Sequence, residues 1–211
     1  CAWVRPLTTA KTRCAPPVSS SAVSKFHGLD IDAADEFAVI GADFFPLDPR
    51  RALALCPADY ADIFAHALSC AGIDRLHAVV GASFGGAIAL TLARRHPKKV
   101  SRIAVLCAAD RPAGVSSAWR AVQASIIEFA RAHGDGPAGV AIARQLAMTT
   151  YRTPEEFSER FGSRSDIASY LSARGNDYAA RMSPERYLTL SAAIDRADEA
   201  PHEIDTPALF I

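Results

Sequence analysis

The residues whose types and spacing could support covalent chemistry form a Gly-x-Ser-x-Gly motif from Gly81 to Gly85, with Ser83 at its centre. A short apolar run precedes the motif, and a helical pattern follows it as far as Pro97. A strand, a sharp turn that carries a serine and then a helix form a nucleophile elbow, in which the serine hydroxyl is lifted out of the sheet. The motif therefore predicts that Ser83 is the nucleophile of an acyl transfer or a hydrolysis.

The glycines and the following helix would position this serine. We expect Gly81 and Gly85 where the strand and helix backbones pass closely, because a Cβ would clash there. The N-terminus of the helix offers unpaired N–H groups and the positive end of a dipole to a developing oxyanion. The backbone N–H of Phe84 is therefore the predicted oxyanion donor. The alternative is a Gly-rich strand-to-helix turn whose serine does no chemistry.

Ser83 needs a base, and in a site of this type an acid and then a histidine follow the serine along the chain. No histidine follows a core strand where that base belongs, so we expect the acid and the base to be missing, with the acid loop starting just after Ile211. A second oxyanion donor is expected on a loop after an earlier strand, and residues 1–27 show neither. Losing one such donor typically costs about 10²–10³ in rate. Because losing the base as well leaves little beyond residual rate enhancement, we expect negligible activity from this chain. The histidines, each interpreted as a surface or packing residue, are His27, His66, His77, His96, His133 and His202.

The elements that would carry these residues alternate between strand and helix patterns in the first half of the chain. This alternation predicts an α/β fold with a parallel sheet. With the nucleophile elbow, the expected fold is of the α/β-hydrolase type, and the missing oxyanion loop, acid and base predict truncation at both ends. Residues 1–27 are predicted to be irregular or disordered, 28–114 to form the α/β core, 115–200 to form a helical lid insertion and 201–211 to begin the returning core strand. The predicted core elements are strands 37–45, 76–80, 102–107 and 207–211 and a helix over 58–71. Breaks in the predicted insertion helices fall at 134–137, 153–154, 162, 175 and 183–184. Thr153-Pro154 and Ser183-Pro184 predict helix starts, because each has a capping residue, a proline at the first helical position and an acidic residue in the first turn.

Composition excludes several classes of partner. Lys plus Arg and Asp plus Glu number 23 each, so the formal net charge is zero and nothing favours a nucleic acid or an anionic membrane surface. No apolar run reaches the roughly 18 residues of a membrane span. The chain has five cysteines, an odd number, and no two of them have C-x-x-C spacing. This pattern indicates reduced thiols in a cytoplasmic protein. No metal site is expected.

Two arginines in the predicted insertion, Arg120 and Arg152, could bind a carboxylate. A guanidinium group clamps a carboxylate through two parallel hydrogen bonds. The residues alone leave open the alternative that each is a solvated charge on a helix.

A family resemblance lies in four segments of the sequence, namely GASFGG (81–86), AMTTYRTPEEF (147–157), SYL (169–171) and RYLTL (186–190). With these segments the chain resembles the homoserine O-acyltransferases of the α/β-hydrolase superfamily. The resemblance extends from about residue 28 to residue 211. Residues 1–27 do not resemble the oxyanion-loop region of that family.

The resemblance implies a ping-pong acyl transfer, in which Ser83 attacks an acyl-CoA thioester and passes the acyl group to the hydroxyl of an amino acid. It implies that Arg152 lies near the carboxylate of the acceptor, and that the helical lid forms a narrow tunnel and the contacts of a homodimer. Arg120 stands where the succinyl-transferring branch carries an arginine. A cation there would pair with the distal carboxylate of a succinyl group, whereas an acetyl group has no charge. Residues 109–120 are most similar to that branch.

The resemblance therefore favours transfer of a succinyl group from succinyl-CoA to L-homoserine in methionine biosynthesis, with acyl-CoA as a co-substrate and no bound cofactor. Acetyl transfer from acetyl-CoA and succinyl transfer to serine stay open, because one methylene of the acceptor is worth only about 1–3 kcal/mol. An esterase on the same fold is an alternative from another class. A further alternative is a non-catalytic chain in which the elbow is intact but the triad is incomplete.

Overall fold

A computed structural model describes residues 2–4, 38–41 and 55–211. The described strands form one sheet, and four of the five run in the same direction. They are β1 (Ala2–Val4), β2 (Ala38–Ile40), β3 (Ala78–Ala82), β4 (Ile103–Leu106) and β5 (Ala208–Phe210). Their order across the sheet is β2-β1-β3-β4-β5. The α/β fold and the parallel pairing of β3, β4 and β5 confirm the sequence prediction.

The strand β1 corrects the expectation that residues 1–27 are irregular. It adds one antiparallel strand to an otherwise parallel sheet, so that Ala2 lies opposite Ile40 on one side and Val79 on the other. Trp and Val are enriched in strands, but three residues are too few to show the alternating pattern that identifies a strand from sequence. The rest of 1–27 lies outside the described residues.

The first of two compact units contains the described strands. It includes the segments Leu55–Arg111 and Arg196–Ile211. Its helices are α1 (Pro57–Cys70) and α2 (Phe84–Arg95), with short 3₁₀ turns at Pro97–Lys99 and Pro201–Glu203. Phe64 and Leu68 of α1 are buried and lie four residues apart, on one face of the helix. Gly72, at φ 71°, follows the end of α1 in the left-handed region that glycine adopts readily.

The second compact unit contains Pro112–Asp195, and all its described elements are helices. Its core is a cluster of four buried residues, Ile127, Val140, Ala143 and Tyr187. The helices are α3 (Gly114–Ala132), α4 (Gly136–Thr149), α5 (Pro154–Arg160), α6 (Arg164–Ala179) and α7 (Pro184–Asp195). None of the described helices is long and apolar enough to cross a membrane.

Two predicted helix starts in this unit are confirmed. Thr153 caps α5 by accepting a hydrogen bond from the backbone N–H of Glu156, and the Glu156 side chain accepts one from the backbone of Thr153. This reciprocal pair is a capping box, with Pro154 at the first helical position. Ser183 likewise accepts a hydrogen bond from the backbone N–H of Arg186 in α7.

The helix break predicted at Gly175 is wrong. Gly175 lies inside α6 and is buried. A Cβ on this residue would lie 2.5 Å from the carbonyl oxygen of Ala141 in α4. The glycine therefore allows two helices to pack closely, a packing role that a single sequence does not distinguish from a helix stop.

Candidate active site

Ser83 occupies a strained turn between β3 and α2, as the motif predicted. Its backbone has φ 51° and ψ −119°, and its side chain is exposed. A positive φ is uncommon for a residue with a Cβ, and such strain persists only where the surroundings hold it. The Ser83 N–H donates to the carbonyl of Leu106 on β4 at 2.9 Å, and the Ser83 carbonyl accepts from the N–H of Gly86 at 2.8 Å. The turn is thus fixed to the neighbouring strand and to the first turn of α2.

The tight backbone positions around Ser83 are Gly81 and Gly86. A Cβ on Gly81 would lie 2.0 Å from the carbonyl oxygen of Gly85, so Gly81 is required, as predicted. The expectation for Gly85 is wrong, because nothing lies within 4 Å of the Cβ it would carry. Gly86 has the tight position instead, since its Cβ would lie 2.6 Å from the Cβ of Ala108.

The predicted oxyanion donor, the N–H of Phe84, belongs to the first residue of α2. The first four N–H groups of a helix have no partner within the helix, and this end of the dipole attracts negative charge. The Phe84 ring packs edge-on against Tyr60 of α1, with ring centroids 5.3 Å apart and planes at 88°. The expected second donor would come from a loop after an early strand. The residues that follow β1 lie outside the described ones.

The Ser83 hydroxyl has no hydrogen-bond partner among the described residues, and therefore no base. Of the described histidines, His66 contacts Cys70 within α1, with Nε2 and Sγ 3.5 Å apart. His96 lies 2.7 Å from a carboxylate oxygen of Asp62. His133 contacts a carbonyl of its own helix. The described residues thus place the exposed serine of the motif next to the N-terminus of α2, where the predicted oxyanion donor lies.

A buried carboxylate supports the elbow helix, and sequence analysis missed it. Glu199, 4% exposed, accepts a hydrogen bond from the fully buried hydroxyl of Thr91 in α2. Its other oxygen lies 3.4 Å from the guanidinium of Arg94. The backbone N–H of Glu199 donates to the carbonyl of Asp110 at 2.8 Å. The segment that leads to β5 is therefore tied both to α2 and to the loop after β4.

Arg120 on α3 is held within the helical unit by Asp195, the last residue of α7. Its Nε donates to Asp195 Oδ1 at 2.9 Å, and its Nη2 donates to the same oxygen. The Ser117 hydroxyl also donates to this oxygen, at 2.7 Å. Arg120 is only 16% exposed, so it is not the freely solvated helix charge that was its alternative.

Arg152 precedes α5 and keeps an unsatisfied donor. Its Nε is buried and has no hydrogen-bond acceptor among the described residues. Its Nη1 lies 3.5 Å from Glu156, and its guanidinium is 5.9 Å from the centre of the Tyr170 ring. Buried polar groups are normally hydrogen-bonded. The unsatisfied Nε therefore indicates a place for an acceptor.

The sequence profile of the family described as alpha/beta hydrolase fold matches residues 21–211. The chain belongs to the α/β hydrolase fold family.

Within this α/β hydrolase family, the chain is similar to acyltransferases. It is 35% identical over 193 residues to the homoserine O-succinyltransferase of Xanthomonas campestris pv. campestris, across 87% of this chain and 51% of that enzyme. It is 35% identical over 164 residues to the L-serine/homoserine O-acetyltransferase of Streptomyces lavendulae, across 66% of this chain and 44% of that enzyme. The resemblance to homoserine O-acyltransferases is confirmed. The chain spans about half the length of these curated relatives.

The crystal structure of homoserine O-acetyltransferase from Staphylococcus aureus matches this α/β hydrolase with a TM-score of 0.63 and 24% identity. The match covers 82% of this chain and 55% of that one, and at this identity it shows the fold alone. In this fold, an exposed serine at the elbow can form a covalent acyl intermediate. The described part of the chain holds no group of three His, Cys, Asp or Glu residues arranged to bind a metal ion.

Proposed function

We propose that this α/β hydrolase carries the nucleophile of an acyl-CoA-dependent homoserine O-acyltransferase of methionine biosynthesis, in the cytoplasm, with succinyl-CoA as the preferred donor. The observation that carries the proposal is the elbow, in which Ser83 is exposed at φ 51° directly before the N-terminus of α2. The similarity to enzymes named as acyltransferases favours transfer over hydrolysis.

The elbow supports a two-step reaction. Ser83 Oγ attacks the carbonyl carbon of the thioester while its proton passes to a base, and the N–H of Phe84 stabilises the oxyanion. The C–S bond breaks, the CoA sulfur takes the proton from the base, and the acyl group stays on Ser83 as an ester. The homoserine hydroxyl then gives its proton to the base and attacks this ester. The Ser83 oxygen leaves and recovers the proton.

We infer that the acid and the base of this reaction lie outside the described residues. Two observations support this inference. No described histidine contacts the Ser83 hydroxyl, and the chain spans about half the length of the relatives.

We propose that Arg152 binds the carboxylate of the amino-acid acceptor. Its buried Nε lacks an acceptor among the described residues, and Glu156 and Tyr170 lie against its guanidinium group. A carboxylate ligand would complete these hydrogen bonds. Because truncating one partner of a buried charge pair costs about 2–5 kcal/mol, Arg152→Ala should raise the KM for homoserine at least about 30-fold. Arg174→Ala, on the exposed side of α6, is the matched control and should leave KM unchanged.

We propose that Arg120 pairs with the distal carboxylate of the succinyl donor. The support is its partial burial on α3 and its place in the segment that resembles the succinyl-transferring branch. Replacing Arg120 with Ala should impair succinyl-CoA use and spare acetyl-CoA use. Unchanged succinyl-CoA kinetics would refute this role.

We propose that a second copy of the chain docks on the exposed apolar face of α3 and α4. Val122, Phe129 and Ile142 are 47%, 68% and 51% exposed there, and they line an open groove of about 760 Å³. An exposed apolar patch of this kind marks an interaction surface. Phe129→Asp should convert a dimer into a monomer in analytical ultracentrifugation. Ile63→Asp, at an exposed apolar residue of α1, should leave the dimer intact.

Mass spectrometry of the full-length gene product tests the nucleophile. With succinyl-CoA and without homoserine, an acyl adduct should form on Ser83, and adding homoserine should discharge it as O-succinylhomoserine. Ser83→Ala should abolish the adduct, whereas Ser69→Ala, at an exposed serine of α1, should keep it. An adduct elsewhere, or release to water that homoserine does not compete with, contradicts the proposed function.

A further inference from the structure

Arg120 donates two hydrogen bonds to one oxygen atom of Asp195, and its Nη2 also donates to the Ser117 hydroxyl oxygen at 3.2 Å. Asp195 Oδ1 accepts hydrogen bonds from Arg120 Nε, from Arg120 Nη2 and from the Ser117 hydroxyl. Ser117 and Arg120 lie one turn apart on α3, and Asp195 ends α7. The cluster thus fixes the position of the guanidinium group from two helices of the same unit.

This arrangement has two opposite consequences for a ligand of Arg120. Asp195 occupies the Nε–Nη2 edge of the guanidinium, and Nη2 also donates to the Ser117 hydroxyl oxygen at 3.2 Å. No described residue accepts from Nη1, so Nη1 stays available for a carboxylate. However, the charge of Asp195 offsets the charge of Arg120 at this short range. An arginine with such a counter-ion attracts an anion less strongly than an unpaired arginine does.

We propose that Asp195 is the positioning residue that sets the preference for a charged acyl donor: it holds Arg120 in place and limits how strongly Arg120 attracts the donor's carboxylate. This inference rests on the proposed function, in which Arg120 meets the distal carboxylate of a succinyl group. The net charge of the Arg120–Asp195 pair affects the binding of a donor that ends in a carboxylate. It does not affect an acetyl donor, whose acyl group has no charge.

Two substitutions separate the positioning from the charge. Asp195→Asn retains an oxygen at the Oδ1 position, so the three hydrogen bonds can form while the negative charge is lost. Asp195→Ala removes both the acceptor and the charge, so Arg120 loses its fixed position. If the role of Asp195 is purely structural, Asp195→Asn should leave the KM for both donors unchanged or raise it for both.

The experiment measures kcat and KM of the full-length gene product for succinyl-CoA and acetyl-CoA, at low and high salt. Asp195→Asn should lower the KM for succinyl-CoA about two- to fivefold, which corresponds to the free energy of a partly exposed ion pair. The KM for acetyl-CoA should stay unchanged. High salt should reduce this gain, because it screens exposed charges. Asp195→Ala should raise the succinyl-CoA KM. Thermal melting of both variants shows whether the helical unit is intact.

The outcomes distinguish this inference from the proposed function. Suppose that the wild-type protein uses succinyl-CoA and that Asp195→Asn leaves the ratio of the KM values for succinyl-CoA and acetyl-CoA unchanged. The proposed function then stands, and the role of Asp195 is overturned. If Asp195→Asn changes both donors equally, Asp195 is structural only and its role is likewise overturned. If the wild-type protein transfers acyl groups from neither donor, the proposed function fails and the role of Asp195 fails with it.

Discussion

Gly81 and Gly85 meet across the nucleophile elbow, where the carbonyl oxygen of Gly85 occupies the space that a Cβ on Gly81 would need, at 2.0 Å. The obstacle is backbone, so no side-chain rotation relieves it. Gly81→Ala should therefore destabilise the fold by more than about 3 kcal/mol, the upper end of typical overpacking costs. Chemical denaturation of the full-length gene product measures this loss.

Gly85→Ala is the matched control for Gly81→Ala, because nothing lies within 4 Å of the Cβ that Gly85 would gain. Replacing a helical glycine with alanine without a clash gains up to about 1 kcal/mol. Gly85→Ala should therefore be neutral or stabilising. Equal losses for the two variants would contradict the close approach at Gly81.

Glu199 should couple energetically to Thr91. The carboxylate is 4% exposed, and hydrogen bonds to charged groups contribute about 1.5–3 kcal/mol. A double-mutant cycle with Thr91→Val and Glu199→Ala should give a coupling free energy in that range. Glu203→Gln, which alters an exposed partner of the same Arg94, should change stability by no more than about 0.5 kcal/mol. A coupling near zero would show that the buried contact contributes nothing.

The elbow was predictable because local sequence determines it. Ser83 lies in a five-residue motif between a strand and a helix pattern, and these local signals suffice to place it. Glu199 was not predictable, because its partner Thr91 lies 108 residues away and only folding brings the two together. The distinction between Gly85 and Gly86 was also hidden, since it depends on how closely Ala108 approaches α2.

The helical unit shows the same division between local and long-range information. The starts of α5 and α7 were predicted from capping residues and prolines that lie next to one another in the sequence. The contact of Arg120 with Asp195 spans 75 residues and was not predicted. The family resemblance suggested that Arg120 binds the carboxylate of the donor. The structure shows in addition that Asp195 is already its counter-ion.

Gly175 should not tolerate a methyl group. A Cβ there would lie 2.5 Å from the backbone oxygen of Ala141 and 3.1 Å from Cγ of Gln145. Gly175→Ala should destabilise the helical unit by about 1–3 kcal/mol, because overpacking against a backbone outweighs the gain in helix propensity. Gly114→Ala, at a helical glycine with open space around it, should be neutral or stabilising. Urea denaturation followed by circular dichroism measures both variants, and a stabilised Gly175→Ala would refute the close contact.

Asp62 should contribute a stability that is lost only in strong acid. Hydrogen bonds from Arg95, with a further contact to His96, lower the pKa of the Asp62 carboxyl from 3.8 to about 2. Because the pKa is lower in the folded state, the contribution is complete above about pH 5 and falls as the pH drops through 4 towards 2. The side chain is 43% exposed, so the contribution should not exceed about 1 kcal/mol.

Urea denaturation of wild type and Asp62→Asn between pH 6 and pH 2 measures the contribution of Asp62. The difference in unfolding free energy between the two proteins should be constant above about pH 5 and shrink between about pH 4 and pH 2. High salt should reduce the difference, because the pair is exposed to solvent. Asp74→Asn, at an exposed aspartate without an ion pair among the described residues, is the control. A difference that is unchanged at pH 2 would show that the Arg95 contact does not hold the carboxylate ionised.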